Sequence, residues 1–207
     1  MRLLIDRTLL IGKLGKHAFS PAGSFLPSRS RAMTFAASSL GEAAAWLSRS
    51  SYQGETLTVF ISNCKELDIV SRWLIRRCQQ IGIHIRIVPM NKANFLSEHM
   101  DGEADMALMG EVFQSDVELG LFELYRNRST VVYRFMDDAR RALVEEKLSQ
   151  VLRMAEPDRR MKALMQVEDT LNEELWILFN YHVKRIDRYH PALRGVSADS
   201  FGWVDFS

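Results

Sequence analysis

Polar and apolar positions alternate along Thr56-Leu-Thr-Val-Phe-Ile, a run rich in β-branched residues that predicts a strand. Over residues 65–80 the period changes. Leu67, Val70, Leu74, Cys78 and Ile81 recur at three- and four-residue spacing, which predicts an amphipathic helix. Gly82 supplies a stop signal. Alternation then returns in Ile83-His-Ile-Arg-Ile-Val, with Ile83, Ile85 and Ile87 on one face. Strand, helix and strand in such close succession form a βαβ unit with parallel strands and a right-handed crossover. A short helix at 92–99 and a short buried strand in Ala104-Asp-Met-Ala-Leu-Met-Gly complete this stretch.

The flanks read differently. Leu3, Leu4, Arg7, Thr8 and Ile11 predict a helix at the N-terminus, with Gly12 and Gly15 as stop signals. Residues 18–39, punctuated by Pro21, Gly23 and Pro27, read as loop. That loop carries Phe19, Phe25, Leu26 and Phe35, so it must lie against a neighbour. A short helix is expected at 41–49. Helices are expected at 137–152 and 157–172, with Pro157 suited to a first helical turn. The continuous apolar run Leu175-Trp-Ile-Leu-Phe-Asn-Tyr predicts a buried strand. In the tail, Leu193-Arg-Gly-Val and Phe201-Gly-Trp-Val-Asp-Phe read as short β segments with glycine turns; Trp203 is able to stack on a sugar, although a plug for the core is the commoner role for such a residue.

Charge narrows the function classes. The net charge is +1, and the basic pairs Arg76-Arg77, Arg140-Arg141 and Arg159-Arg160 each lie in an expected helix with acids nearby. That describes solvated helix faces, not a nucleic-acid surface. No apolar stretch approaches the roughly 18 residues of a membrane span, and Asp6 and Arg7 interrupt the short apolar start. No membrane partner is expected. Cys64 and Cys78 complete no zinc pattern. Cys78 falls on an apolar helix face as a buried thiol, while a disulfide at Cys64 stays open; so few cysteines suit a reducing cytoplasm.

Catalytic motifs are missing as well. No phosphate loop, dinucleotide fingerprint or Gly-x-Ser-x-Gly elbow is present. His17, His84, His99, His182 and His190 are scattered, so neither a metal nor another cofactor is expected. The acid pairs Asp137-Asp138, Glu145-Glu146 and Glu173-Glu174 fall at helix ends or on helix faces. The expectation is a binder and not an enzyme. In open α/β sheets the ligand sits beyond the carboxyl ends of the strands. Here those ends are Ser62-Asn63-Cys64, Pro89-Met90-Asn91 and the segment from Gly110 to Asp116. The last is richest in mixed polar and aromatic character. Glu111, Gln114 and Asp116 are the expected polar contacts, with Phe113 as a packing wall. Asn180 and His182 leave the apolar run and are expected at the same cleft, although a satisfied edge-strand histidine is the commoner role for such a residue.

The order of these motifs resembles the C-terminal part of the family 5 extracellular solute-binding proteins, which include oligopeptide-, dipeptide- and nickel-binding members. Met1-Arg-Leu-Leu-Ile-Asp-Arg-Thr-Leu-Leu is similar to the helix carrying that family's Ala-Ile-Asp-Arg motif. Pro21-Ala22, Leu26-Pro27, Leu40-Gly-Glu-Ala-Ala-Ala-Trp-Leu, Ile81-Gly-Ile-His-Ile and Gly102-Glu-Ala-Asp-Met-Ala-Leu-Met-Gly follow in the family's order. The tail, His190-Pro-Ala-Leu-Arg-Gly-Val and Ser200-Phe-Gly-Trp-Val-Asp-Phe-Ser, resembles the end of the SgrR-type transcriptional regulators. The resemblance implies an α/β fold: one lobe of a type 2 periplasmic-binding-protein-like clamshell, with a mixed sheet flanked by helices.

It implies a single lobe over 1–207, with helix and hinge-side loop at 1–39, the βαβ core at 40–135, and a helical pair with return strands at 136–207. It also implies a cytoplasmic sensor of a small polar metabolite such as a sugar phosphate. DNA would be met only through a winged helix that, with the first lobe, lies outside this chain. A transport solute-binding protein is the alternative. Peptide-binding members place an Asp after the third strand, where Phe113 or Gln114 stands here, and Asp116 matches a later Asp. A buried ammonium without a carboxylate costs several kcal/mol, which argues against a peptide ligand. A Gln can instead hydrogen-bond a sugar hydroxyl.

Overall fold

In the computed structural model, residues 1–35, 37–90, 103–112, 116–184, 190, 192, 194–198 and 204–205 are described. Strand β2 (Thr56–Ser62) is the centre of the main sheet. Val59, Phe60 and Ile61 are buried in succession, as a strand covered on both faces requires. Strand β3 (His84–Met90) pairs parallel along one edge, from Thr56↔His84 to Ser62↔Met90. Strand β4 (Met106–Leu108) pairs parallel along the other, from Val59↔Met106 to Ile61↔Leu108. The order is therefore β3-β2-β4. The backbone of Thr58 fixes the entry to β4. Its N–H donates to the Asp105 carboxylate at 2.7 Å, and its carbonyl accepts from Asp105 N–H at 2.9 Å.

Helices α1 (Arg7–Leu14), α2 (Pro27–Arg31), α3 (Leu40–Leu47) and α4 (Lys65–Gln79) accompany this sheet. Helix α4 buries Leu67, Val70, Trp73, Leu74 and Cys78, the face its spacing predicts. Gly82 takes φ 84° just beyond its end, a conformation glycine adopts without strain. Leu4, Leu10, Ala43, Val70, Trp73, Cys78 and Ile83 share one apolar cluster.

The N-terminus departs from the expectation. A 3-10 turn at Arg2–Leu4 comes first, and Asp6 then caps α1 by accepting from Leu9 N–H at 2.9 Å. Helix α1 runs through Gly12 and stops at Gly15, φ 113°. Residues 18–39 are not all loop. Phe19–Pro21 forms β1 and Pro27–Arg31 forms α2. The apolar loop residues do find neighbours: Phe19 packs edge-on against Tyr181 and Phe25 edge-on against Phe179. The partner of β1 is β5 (Tyr181–Val183), antiparallel, with Ser20 opposite His182.

The expected strand at 175–181 is likewise shorter than its apolar run suggests. Leu175 takes φ 63° and is 51% exposed, because it ends a helix instead of starting a strand. Its N–H donates to Asn172 and that of Trp176 to Leu171, the paired bonds of a left-handed helix terminus.

The chain divides into two compact units, Met1–Gly110 with Ile177–Lys184 and Glu111–Trp176 with Arg185–Ser207. The second holds α5 (Val117–Arg126), α6 (Val131–Arg134), α7 (Asp138–Val151) and α8 (Pro157–Glu173). No element was expected over α5 and α6. Asp116, Thr130 and Asp137 cap α5, α6 and α7 through side-chain oxygens. Leu121, Leu124, Tyr125, Val144, Leu148, Leu164, Val167 and Leu171 are buried there. Of the basic pairs, Arg140 meets Asp137 at 2.5 Å and Glu174 at 2.7 Å, Arg141 meets Asp138 at 3.2 Å, and Arg160 meets Glu118. In the tail, Ser197–Ala198 (β6) pairs antiparallel with Val204–Asp205 (β7). The helix expected at 92–99 and Trp203 lie outside the described residues.

Candidate functional site

The chain leaves β2 through α4 to reach β3 on one side, then reappears as β4 on the other. The carboxyl ends of β2 and β4 are thus a topological switch point, where α/β sheets open a crevice for ligands. Three groups of the first unit meet there. Ser62-Asn63-Cys64 ends β2, and Cys64 is the N-cap of α4, making no side-chain cap bond. The opening turn of α4 follows, where free N–H groups and the helix dipole favour negative charge. Glu66 and Asp68 already supply some of that charge. Tyr181 is the third. Burial first, then Cys64 and Glu66, push its phenol up to about 12. A phenol held neutral in this way donates a hydrogen bond throughout the physiological range. Cys64 is a free, exposed thiol, so the disulfide left open above is absent.

The expected site residues fall out as follows. Glu111 is the third residue after β4; it keeps an exposed surface, but protein around its carboxyl raises it above the usual carboxylate range by desolvation. Phe113 and Gln114 lie outside the described residues. Asp116 has a structural task, since its Oδ1 accepts from Leu119 N–H at 2.9 Å at the start of α5. Asn180 offers its backbone carbonyl to Ala22 N–H at 3.2 Å, just before β5. His182 lies within β5, its Nε2 2.8 Å from Ser30 Oγ. The structure therefore gathers Asn180 and His182 on one short segment of the first unit, and places Glu111 and Asp116 in the second. Sequence reasoning placed Cys64 at a ligand-facing strand end without choosing it as a contact, and passed over Tyr181. The spacing of Cys64 immediately before α4 was the available signal; Tyr181, 117 positions later, gave none.

Beside β5, Arg7 ties the N-terminal helix to the returning chain. Its Nε–H donates to Ala22 O at 2.8 Å and to Phe179 O at 3.0 Å, and its guanidinium lies over the Phe35 ring. Among the described residues no three His, Cys, Asp or Glu side chains cluster so as to hold a metal ion, and no helix is long and apolar enough to cross a membrane.

The fold has solved counterparts in bacterial substrate-binding proteins. An ABC transporter substrate-binding protein, CtaP from Listeria monocytogenes, superposes with a TM-score of 0.66 at 20% identity, over 88% of this chain and 39% of its own. NikA from Brucella suis, solved with Fe(III)-EDTA, gives 0.69 at 14% identity over 88% and 41%. In sequence, the uncharacterized protein YhjP of Bacillus subtilis (strain 168) is 22% identical over 206 residues, 99% of this chain but 35% of that protein. No family model matches. The chain shares the fold of part of such proteins and spans well under half the length of each.

Proposed function

We propose that this chain is the ligand-sensing lobe of a transcriptional regulator and binds a small polar metabolite such as a sugar phosphate. The carrying observation is the switch point at β2 and β4, where the start of α4 and the neutral phenol of Tyr181 stand together. A phosphate suits the N–H groups of a helix start, and a hydroxylated body suits Tyr181 and an amide side chain. The tail's resemblance to SgrR-type regulators supports the regulatory setting, in which the ligand acts only by its differential affinity for two states. In that setting the protein is cytoplasmic and reaches DNA through a further domain. Glu111, Gln114 and Asn180 are proposed as polar contacts and Phe113 as a packing wall. Asp116 and His182 are further proposed contacts, each in its own unit, through Oδ2 and Nδ1, the atoms their structural bonds leave over.

A transport solute-binding protein is the second reading, favoured by the likeness to CtaP and NikA. Amide chemical shifts of the 207-residue chain with millimolar hexose phosphate test both. Shifts at Ser62–Leu67 that vanish in Tyr181→Phe, and are absent with unphosphorylated hexose, are expected. A response to dipeptide or a nickel–histidine chelate alone would favour transport. Silence at Ser62–Leu67 with every probe sinks the site.

A further inference from the structure

The buried hydroxyl of Ser30 makes three hydrogen bonds. Its Oγ accepts from Gly23 N–H and Ser24 N–H, both at 3.1 Å, and lies 2.8 Å from His182 Nε2. Ser30 is 2% exposed, so bulk solvent is kept from this arrangement. A hydroxyl has two lone pairs and one hydrogen. The two amides take both lone pairs, so the hydrogen is left for His182 Nε2, with Ser24 O at 3.4 Å as the poorer alternative. This accounting puts the imidazole proton on Nδ1 and makes Nε2 an acceptor. Protonation of Nε2 would leave two donors face to face at 2.8 Å, with no lone pair on Ser30 to receive the new one. The bond can then survive only if Gly23 or Ser24 gives up its acceptor.

Among the described residues, α1, β1, α2 and β5 contain no acidic residue; Glu66 of α4 acts on the neighbouring Tyr181, while burial is what shifts His182. The titratable and charged groups of those four elements are Arg7 and Lys13 of α1, Arg29 and Arg31 of α2, and Tyr181 beside His182, with Lys184 just beyond. Asp6, which caps α1, is already engaged by Leu9 N–H and Ser38 Oγ. Beside this segment, the bonds of Ala22 N–H to Asn180 O and of Arg7 to Ala22 O and Phe179 O do not titrate near neutrality.

We propose that the Ser30–His182 bond is a proton-operated latch that holds the 23–31 turn on β5 and releases it when the imidazole is protonated. Burial lowers the proton affinity of His182, so the latch is closed at neutral pH and opens only as pH falls below the ordinary histidine value of 6.5. Release would uncover Ser24 and the edge-on contact of Phe25 with Phe179, while the Arg7 clamp keeps the segment's start in place.

Hydrogen exchange of the whole chain between pH 4.5 and 7.5, corrected for intrinsic rates, tests this. Protection at Gly23 and Ser24 should fall on the order of tenfold on acidification, the effect of one lost buried hydrogen bond, while Val59–Ile61 stays protected. In His182→Gln the amide oxygen accepts from Ser30 and does not titrate, so protection should hold at both ends of the range. In Ser30→Ala the two amides lose their acceptor and should exchange fast throughout. Unchanged wild-type protection, an equal pH response in His182→Gln, or parallel loss at Val59–Ile61 would each overturn the latch.

Discussion

Asp116 shows how a single side chain can serve two purposes that a simple deletion confuses. Its Oδ1 caps α5, and its charge is among those that raise the affinity of Arg160 for its proton. Removing an N-cap of this type costs about 1 kcal/mol. Asp116→Ala should therefore lower the unfolding free energy from urea titration by that amount whether or not Asp116 meets a ligand. Asp116→Asn keeps a capping oxygen and removes only the charge, so its stability should fall by less than half as much. Ligand affinity lost in Asp116→Asn at near-native stability measures a binding role; affinity retained there and lost in Asp116→Ala assigns the residue to the helix alone. The sequence showed Asp116 as polar and after a strand, but the cap was hidden because α5 behind it was not recognised. At Leu175 the limit is different: nothing about a leucine announces φ 63°, so the apolar run looked like a strand.

Helix α1 and the β1–α2 turn mark where glycine stops being readable as punctuation. Gly12 looked like a helix end, yet it lies inside α1 with open space where a Cβ would go. Gly23 looked like one more loop glycine, yet a Cβ there would stand 2.6 Å from Met33 Sδ and 2.8 Å from Phe35 Cε1. Opposite outcomes follow. Gly12→Ala should stabilise the chain by about 1 kcal/mol, the difference in helix propensity. Gly23→Ala should destabilise it by roughly 1–2 kcal/mol through overpacking. Chemical denaturation of the two variants checks both signs, and a stabilising Gly23→Ala would mean that Met33 and Phe35 move aside freely. The elements that were legible, β2, α4, β3, α7 and α8, have long periodic faces that local pattern captures. Among the elements that were not, β1 and β5 are three residues each, include Pro21, and depend on a partner some 160 positions away.

For the molecule as a whole, the buried titratable groups of the first unit set where stability peaks. His182 and the Met1 α-amino group both have lowered proton affinity through burial. Folding disfavours the charged form of each, so unfolding takes up protons and stability falls as pH drops below their unfolded values of 6.5 and 8.0. Cys78 and Tyr181 act in the other direction. Burial pushes them up to about 11 and about 12, so the unfolded chain loses these protons first, from 9.0 and 10.0 upward. Their contribution is complete below the unfolded values and is lost as pH climbs toward the folded ones. Two limbs therefore descend from a maximum between pH 8.0 and 9.0, even though the chain carries a net charge of only +1. Urea midpoints from pH 5 to 11, read by the fluorescence of buried Trp73, should trace that shape. His182→Gln should flatten the acid limb below 6.5, and Tyr181→Phe the alkaline limb above 10. A midpoint that keeps rising to pH 11, or one that peaks near pH 6, would show that these four groups do not govern the first unit's stability.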